Sequence, residues 1–194
     1  MSEATIANND VTSDAGGACL FLAEVSIINS TFSDNTAGGN GGGLYANSTG
    51  TMTNSTFSGN SATVSGGGIY VSGSATLALN NNLIANSPGG GDCVRINGTV
   101  NAQHSLIRSG LGCVTGTNIA SLTGDPLLGP LADNGSATQT FALLPGSPAI
   151  NAGSNAWPSI CWACHSPLTS AAPVSRVSTV PRSTSVLSRP IWSP

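Results

Sequence analysis

The sequence predicts an all-β chain: a right-handed, single-stranded parallel β-helix of about 25 residues per coil, closed by an irregular C-terminal cap and followed by a tail. Three observations predict it. Asn29-Ser30-Thr31-Phe32-Ser33-Asp34-Asn35 recurs as Asn54-Ser55-Thr56-Phe57-Ser58-Gly59-Asn60, and Gly41-Gly42-Gly43-Leu44-Tyr45 recurs as Gly66-Gly67-Gly68-Ile69-Tyr70. Apolar residues alternate with small polar ones, as in Ala75-Thr76-Leu77-Ala78-Leu79, which is the period of a strand. Charged residues make up only 7% of the chain, lysine is absent and glycine numbers 25. Against about 25% charge in an average soluble protein, such a chain folds only if small polar residues pair with one another, as stacked coils allow.

The elements follow in order. Weaker copies of the repeat flank the strong ones. Thr5-Ile6-Ala7-Asn8-Asn9 stands before Gly16-Gly17-Ala18-Cys19-Leu20, and Asn82-Leu83-Ile84-Ala85-Asn86 before Gly89-Gly90-Gly91-Asp92-Cys93. A degenerate coil runs through His104-Ser105-Leu106-Ile107. Each repeat reads as two or three short strands, since Gly triplets and Asn break any helical run. Stacking places Ile6, Phe32, Phe57 and Leu83 in one inward column, with Ser58 outward on the same strand. Leu44, Ile69 and Cys19 or Leu20 fall in a second column, which makes Cys19 a small core residue. Asn9, Asn35, Asn60 and Asn86 form a ladder at a turn, where Asn tolerates left-handed φ. The chain divides into repeats (1–118), the C-terminal cap (119–155) and the tail (156–194). Pro126, Pro130, Pro145 and Pro148 in the cap oppose further strand addition.

The repeats resemble those of pectate-lyase-like parallel β-helix proteins. They are most similar to bacterial surface proteins related to polymorphic outer-membrane proteins and the choice-of-anchor group. The likeness continues through Gly124-Asp125-Pro126-Leu127-Leu128-Gly129-Pro130 and Leu143-Leu144-Pro145-Gly146-Ser147-Pro148-Ala149-Ile150-Asn151, covering about residues 4–155. The resemblance implies a β-helix exposed on a bacterial cell surface or secreted, and no established activity. Similar proteins carry a cysteine pair in the last coil. For Cys93 and Cys113 this implies a disulfide that closes a loop of about 20 residues and contributes roughly 3 kcal/mol; two free buried thiols are the alternative.

The function classes narrow accordingly. A net charge of −3 leaves no basic stripe for nucleic acid. No apolar run approaches the ~20 residues of a membrane span. The acidic residues show no in-phase carboxylate pair of the kind a glycosidase needs, nor the Asp spacing of a calcium site. The expectation is therefore a non-enzymatic structural or adhesive module with no catalytic residues, metal or cofactor. Tyr45 and Tyr70, one coil apart, are the candidate ligand-binding residues, with carbohydrate or a host or neighbouring cell surface as partner. Simple strand packing is the blander account of that pair. A carbohydrate-binding or carbohydrate-active, polysaccharide-lyase-like β-helix is the second reading. Asn29, Asn47, Asn54, Asn97 and Asn134 each match the glycosylation pattern, and the expectation is that they serve as ladder residues. Because the repeat is in phase from Thr5, the chain reads as a fragment lacking upstream coils and a secretion signal. Its first coil would then support end-to-end self-association.

After Asn155 the composition changes: all three tryptophans lie there, and no acid follows Asp133. Cys161, Cys164 and His165 match the haem-attachment pattern, which makes a c-type haem protein the third reading. A frameshift explains the tail better. Proteins similar to this one finish with Asp-Gln-Arg-Gly and then Asp-Ile-Gly-Ala-x-Glu. Read from the third base of each codon, residues 167–173 and 182–189 can encode those two motifs in order. The tail is then expected to be disordered and its cysteine motif accidental.

Overall fold

In the computed structural model, which describes residues 1–22 and 24–155, the chain winds through four parallel sheets in a fixed cycle. The first, the phenylalanine sheet, stacks Thr5–Ala7, Thr31–Ser33, Thr56–Ser58, Leu83–Ala85 and Leu106–Ile107. A short sheet follows, formed by Asp10–Val11, Thr36–Ala37 and Ser61–Ala62. The tyrosine sheet holds Ala18–Leu20, Leu44–Ala46, Ile69–Val71 and Cys93–Arg95. The long sheet holds Val25–Ile28, Gly50–Thr53, Thr76–Asn80, Thr99–Gln103 and Asn118–Ile119. A complete coil therefore has four strands, one more than the pattern predicts, because two-residue strands are too short to show alternation. The all-β parallel solenoid itself is as predicted.

Between the sheets lies one narrow apolar column. Phe32 and Phe57 stack with ring centroids 4.5 Å apart and planes 7° from parallel. Ile27, Met52, Leu77 and Leu79 from the long sheet and Leu44, Ile69 and Val71 from the tyrosine sheet are fully buried against them. Glycine triplets fit because coils touch there: a Cβ on Gly43 would press on the Gly68 carbonyl of the next coil.

Two expected columns shift. Phe57 pairs with Ile84, so the inward column is Ile6, Phe32, Phe57 and Ile84; Leu83 pairs with Thr56 and faces outward. The cause is coil length. Steps along the chain measure 26, 25, 27, 23 and 16 residues, and the long step comes from the wider Ser72–Ala75 turn. A one-residue slip reverses every side chain. In the tyrosine sheet Leu44 and Ile69 align with Ala18, which puts Cys19 on the outer face, where it is exposed.

Polar ladders hold the corners. Asn9 Nδ2 donates to Asn35 Oδ1 at 2.7 Å, and Asn35 Nδ2 donates to Asn60 Oδ1 at 2.8 Å. Asn35 and Asn60 also donate to the Ile6 and Phe32 carbonyls at 2.9 Å each. Both are fully buried and neither is left-handed; the positive φ belongs to the residue before, Asn8, Asp34, Gly59 and Asn86. Asn86 thus leaves the expected ladder, and its amide donates to Ser58 Oγ. A second inward ladder runs from the Ala4 amide through Ser30, Ser55, Asn82, Ser105 and Ser121. Outside it, Asn81 donates to Asn54 and Asn54 to Asn29, all left-handed.

Closure at the C-terminal end differs from expectation too. Leu111, Cys113 and Val114 pack against the end of the core, and Cys113 is joined to Cys93 with Cα atoms 5.9 Å apart. Asn118–Ile119 and the Leu106–Leu122 bridge add a last partial coil. Residues 119–155, expected to be irregular, contain an antiparallel hairpin of Leu128–Ala132 and Thr140–Leu143. It reaches back along the side of the coils: Thr5 Oγ1 donates to the Gln139 carbonyl at 3.3 Å, and Asn81 exchanges two hydrogen bonds with Ser154 at 2.8 and 2.9 Å. Ser58 points outward as expected, yet it is 3% exposed, and the neighbouring outward Thr31 and Ser33 are likewise buried.

The corner ladders yield a stability contrast. Asn35→Ala strips the acceptor from Asn9 and the donor from the Ile6 carbonyl inside the column, and is expected to cost on the order of 2–4 kcal/mol. Asp34→Gly, one residue away at a left-handed position, is expected to stay within about 1 kcal/mol of the parent. Urea unfolding of the two variants measures the difference; equal losses would contradict the ladder.

Candidate functional site

On the strands Leu44–Ala46 and Ile69–Val71 the first and last residues are fully buried, so strand alternation forces Tyr45 and Tyr70 onto the outer face. Register puts them side by side in a column that continues to Cys19 on one side and Val94 on the other. The two rings lie 5.3 Å apart between centroids, tilted by 33°. Ser72 Oγ donates to Tyr45 Oη at 3.2 Å, which anchors that phenol. Partial burial, then the neighbouring Tyr45 and Asp14, push the Tyr70 phenol above its ordinary value. Partial burial and, secondarily, Asp14 raise the Cys19 thiol in the same way. A half-buried aromatic pair of this kind offers apolar ring faces and hydroxyl edges together, which suits stacking on the C–H face of a sugar.

Several acidic side chains hold partners within the fold. Asp92, 4% exposed, receives the Ser87 amide on one oxygen at 3.0 Å and the Ser109 amide on the other at 2.9 Å. Like the buried Asn35 and Asn60, it satisfies backbone amides with its side chain. Asp14 receives the Asn40 amide at 2.6 Å, and Asp34 receives the Ser33 hydroxyl. Asp125 forms an exposed ion pair with Arg108 at 3.7 Å. Among the described residues no three His, Cys, Asp or Glu side chains converge as metal ligands. The haem-pattern residues Cys161, Cys164 and His165 lie outside the described residues.

Sequence reasoning brought together Tyr45 with Tyr70, and Cys93 with Cys113, as the structure does. It missed Asp92 and the serine ladder. The available signal for the ladder was Ser30 and Ser55, which recur in phase directly after Asn29 and Asn54. The five glycosylation-pattern asparagines divide: Asn29 and Asn54 stand in the outer ladder, whereas Asn134 ties the hairpin turn to the Thr140 carbonyl at 2.7 Å. Asn47 and Asn97 sit in turns that follow tyrosine-sheet strands. These three are therefore not ladder residues between stacked coils, contrary to expectation.

A family model described as a right handed beta helix region matches residues 1–123. No curated protein and no solved structure matches the chain.

The tyrosine pair can be checked by titration. The raised Tyr70 value means that the fold favours the neutral phenol. That contribution is present below the ordinary tyrosine range of about 10 and is lost as pH rises through the folded value. In an ultraviolet pH titration Tyr45→Phe removes a neighbouring phenolate and is expected to lower the Tyr70 midpoint towards the ordinary range. An unchanged or higher midpoint would show that the two rings are not coupled.

Proposed function

The chain belongs to the right-handed β-helix family, and from that premise we propose that it serves as a non-enzymatic structural and adhesive module of a bacterial cell-surface or secreted protein. The observation that carries this reading is the outward Tyr45–Tyr70 pair, set 5.3 Å apart on two strands whose inward residues are fully buried. Stacked coils hold such a pair at fixed spacing, so an incoming chain meets it with little ordering cost in the protein. The partner is a neutral carbohydrate on a host or neighbouring cell. A low charge density supports a face that binds by stacking and hydrogen bonding rather than by charge steering.

The Cys93–Cys113 disulfide supports an extracytoplasmic location, because such bonds persist in oxidising compartments. First-coil strands such as Thr5–Ala7 and Ala18–Leu20 lie at the edges of their sheets. Their free backbone groups suit end-to-end association within a longer assembly.

Binding to a glycan array tests the proposal. The chain is expected to retain neutral glycans, and Tyr45→Ala or Tyr70→Ala is expected to weaken retention by roughly tenfold, the loss of a stacking contact of about 1–1.5 kcal/mol. The melting temperature should stay close to that of the parent. Retention unaffected by both substitutions would remove the tyrosine pair from the site. Release of shortened oligosaccharides on incubation with polysaccharide would overturn the non-enzymatic reading.

A further inference from the structure

Three asparagines in the described chain precede glycine, and their surroundings differ sharply. Asn40 bridges to Ser65 in the next coil, its amide donates to Asp14 Oδ1 at 3.2 Å, and the Gly41 N–H is held by the Ser65 carbonyl at 3.0 Å. Asn134 donates to the Thr140 carbonyl at 2.7 Å, and the Gly135 N–H donates to Asp133 Oδ1 at 3.0 Å. Asn97 is exposed and its carboxamide has no partner among the described residues. The Gly98 N–H likewise has none; only the Gly98 carbonyl is engaged, by Arg95 at 3.5 Å. Gly98 adopts φ +82°, and without a side chain it leaves its own nitrogen open to the preceding residue.

We propose that Asn97 is a site of spontaneous covalent modification, converting to aspartate and isoaspartate through a succinimide with water as the only co-reactant. The Gly98 nitrogen, having lost its proton to hydroxide, attacks Asn97 Cγ. The new C–N bond closes a five-membered ring, the Cγ–Nδ2 bond breaks, and the amide nitrogen leaves as ammonia. Water then opens the ring. Addition at Cγ restores the ordinary backbone with an aspartate side chain; addition at the main-chain carbonyl routes the backbone through the side chain as isoaspartate. Nothing is oxidised or reduced, and either product adds one negative charge to a chain whose formal net charge is −3.

Reaction requires a free nucleophilic nitrogen and a carboxamide able to approach it. At Asn40 and Asn134 both groups are engaged, so local opening must precede attack. At Asn97 neither is. The isoaspartate product lengthens the backbone in the turn between Cys93–Arg95 and Thr99–Gln103, in the coil that carries the Cys93–Cys113 disulfide. The new carboxylate arises two residues from Arg95, whose Nε is buried without a partner.

The test incubates the full-length protein in mildly alkaline buffer, natively and in urea, and then maps peptides after reduction and tryptic cleavage. Arg95 and Arg108 release residues 96–108, which isolates Asn97 from the other two sites. Mass spectrometry follows the amide-to-acid increment, and electron-based fragmentation distinguishes isoaspartate from aspartate. In the native protein Asn97 is expected to convert roughly tenfold or more faster than Asn40 and Asn134, because those two must first open. In urea the three rates should converge. Asn97→Gln, which lengthens the side chain without touching a hydrogen bond, should abolish the increment in residues 96–108 and leave melting unchanged. Equal native rates at the three sites, or an Asn97 that reacts only in urea, would overturn the proposal.

Discussion

A polar group buried at a corner of one coil must find its partner in the next coil, and the rest of the molecule depends on that constraint. Parallel in-register stacking satisfies the strand backbones but leaves the corners, where N–H and C=O groups turn into a dry interior. Asn35 answers it most completely. Its side chain accepts from Asn9, donates to Asn60 and donates to the Ile6 carbonyl, while its own N–H is held by Asn60. Serine does the same at the next corner, where Ser30, Ser55, Asn82 and Ser105 each receive an amide from the preceding coil. A charge at either place would have to be satisfied as completely as these neutral groups are. Asp92 meets that requirement: its two oxygens take two amides, from Ser87 and Ser109.

This constraint also decides what could be read in advance. The period, the strand content and the Phe32–Phe57 column were legible because two consecutive coils differ by 25 residues and share their residues almost letter for letter. The next step of 27 residues was not legible, since the additional residues lie in a Ser-Gly-Ser turn that carries no pattern. One residue of misalignment then moved Leu83 into the core and Asn86 into the ladder. For the candidate site, Tyr45 and Tyr70 could be paired because they share the well-repeated coil. Cys19 could not be placed, because in Ala18-Cys19-Leu20 each residue is small or apolar enough to face inward.

The hairpin was illegible for a different reason. The hairpin turn and the segment after it meet the coils through contacts between residues separated by 134 and 73 positions, and no periodic pattern links such distant segments. Thr31, Ser33 and Ser58 are outward-facing hydroxyl residues in a parallel sheet, yet they are buried. Parallel sheets covered on both faces are the rule, and hydroxyl side chains at these three positions put no large apolar group on the outer face.

Seen from the ladders, the outer faces are unequal in the freedom they leave to sequence. The phenylalanine sheet is constrained by the core within, and its outward Thr31, Ser33 and Ser58 are buried as well. The corners are constrained by partners in adjacent coils. The outward column of the tyrosine sheet, Cys19, Tyr45, Tyr70 and Val94, carries no inter-coil side-chain hydrogen bond except that between Ser72 and Tyr45. Side chains there can change without unpairing any buried group. The Tyr45–Tyr70 pair occupies this least constrained column, its two half-buried rings packed on each other across one coil step.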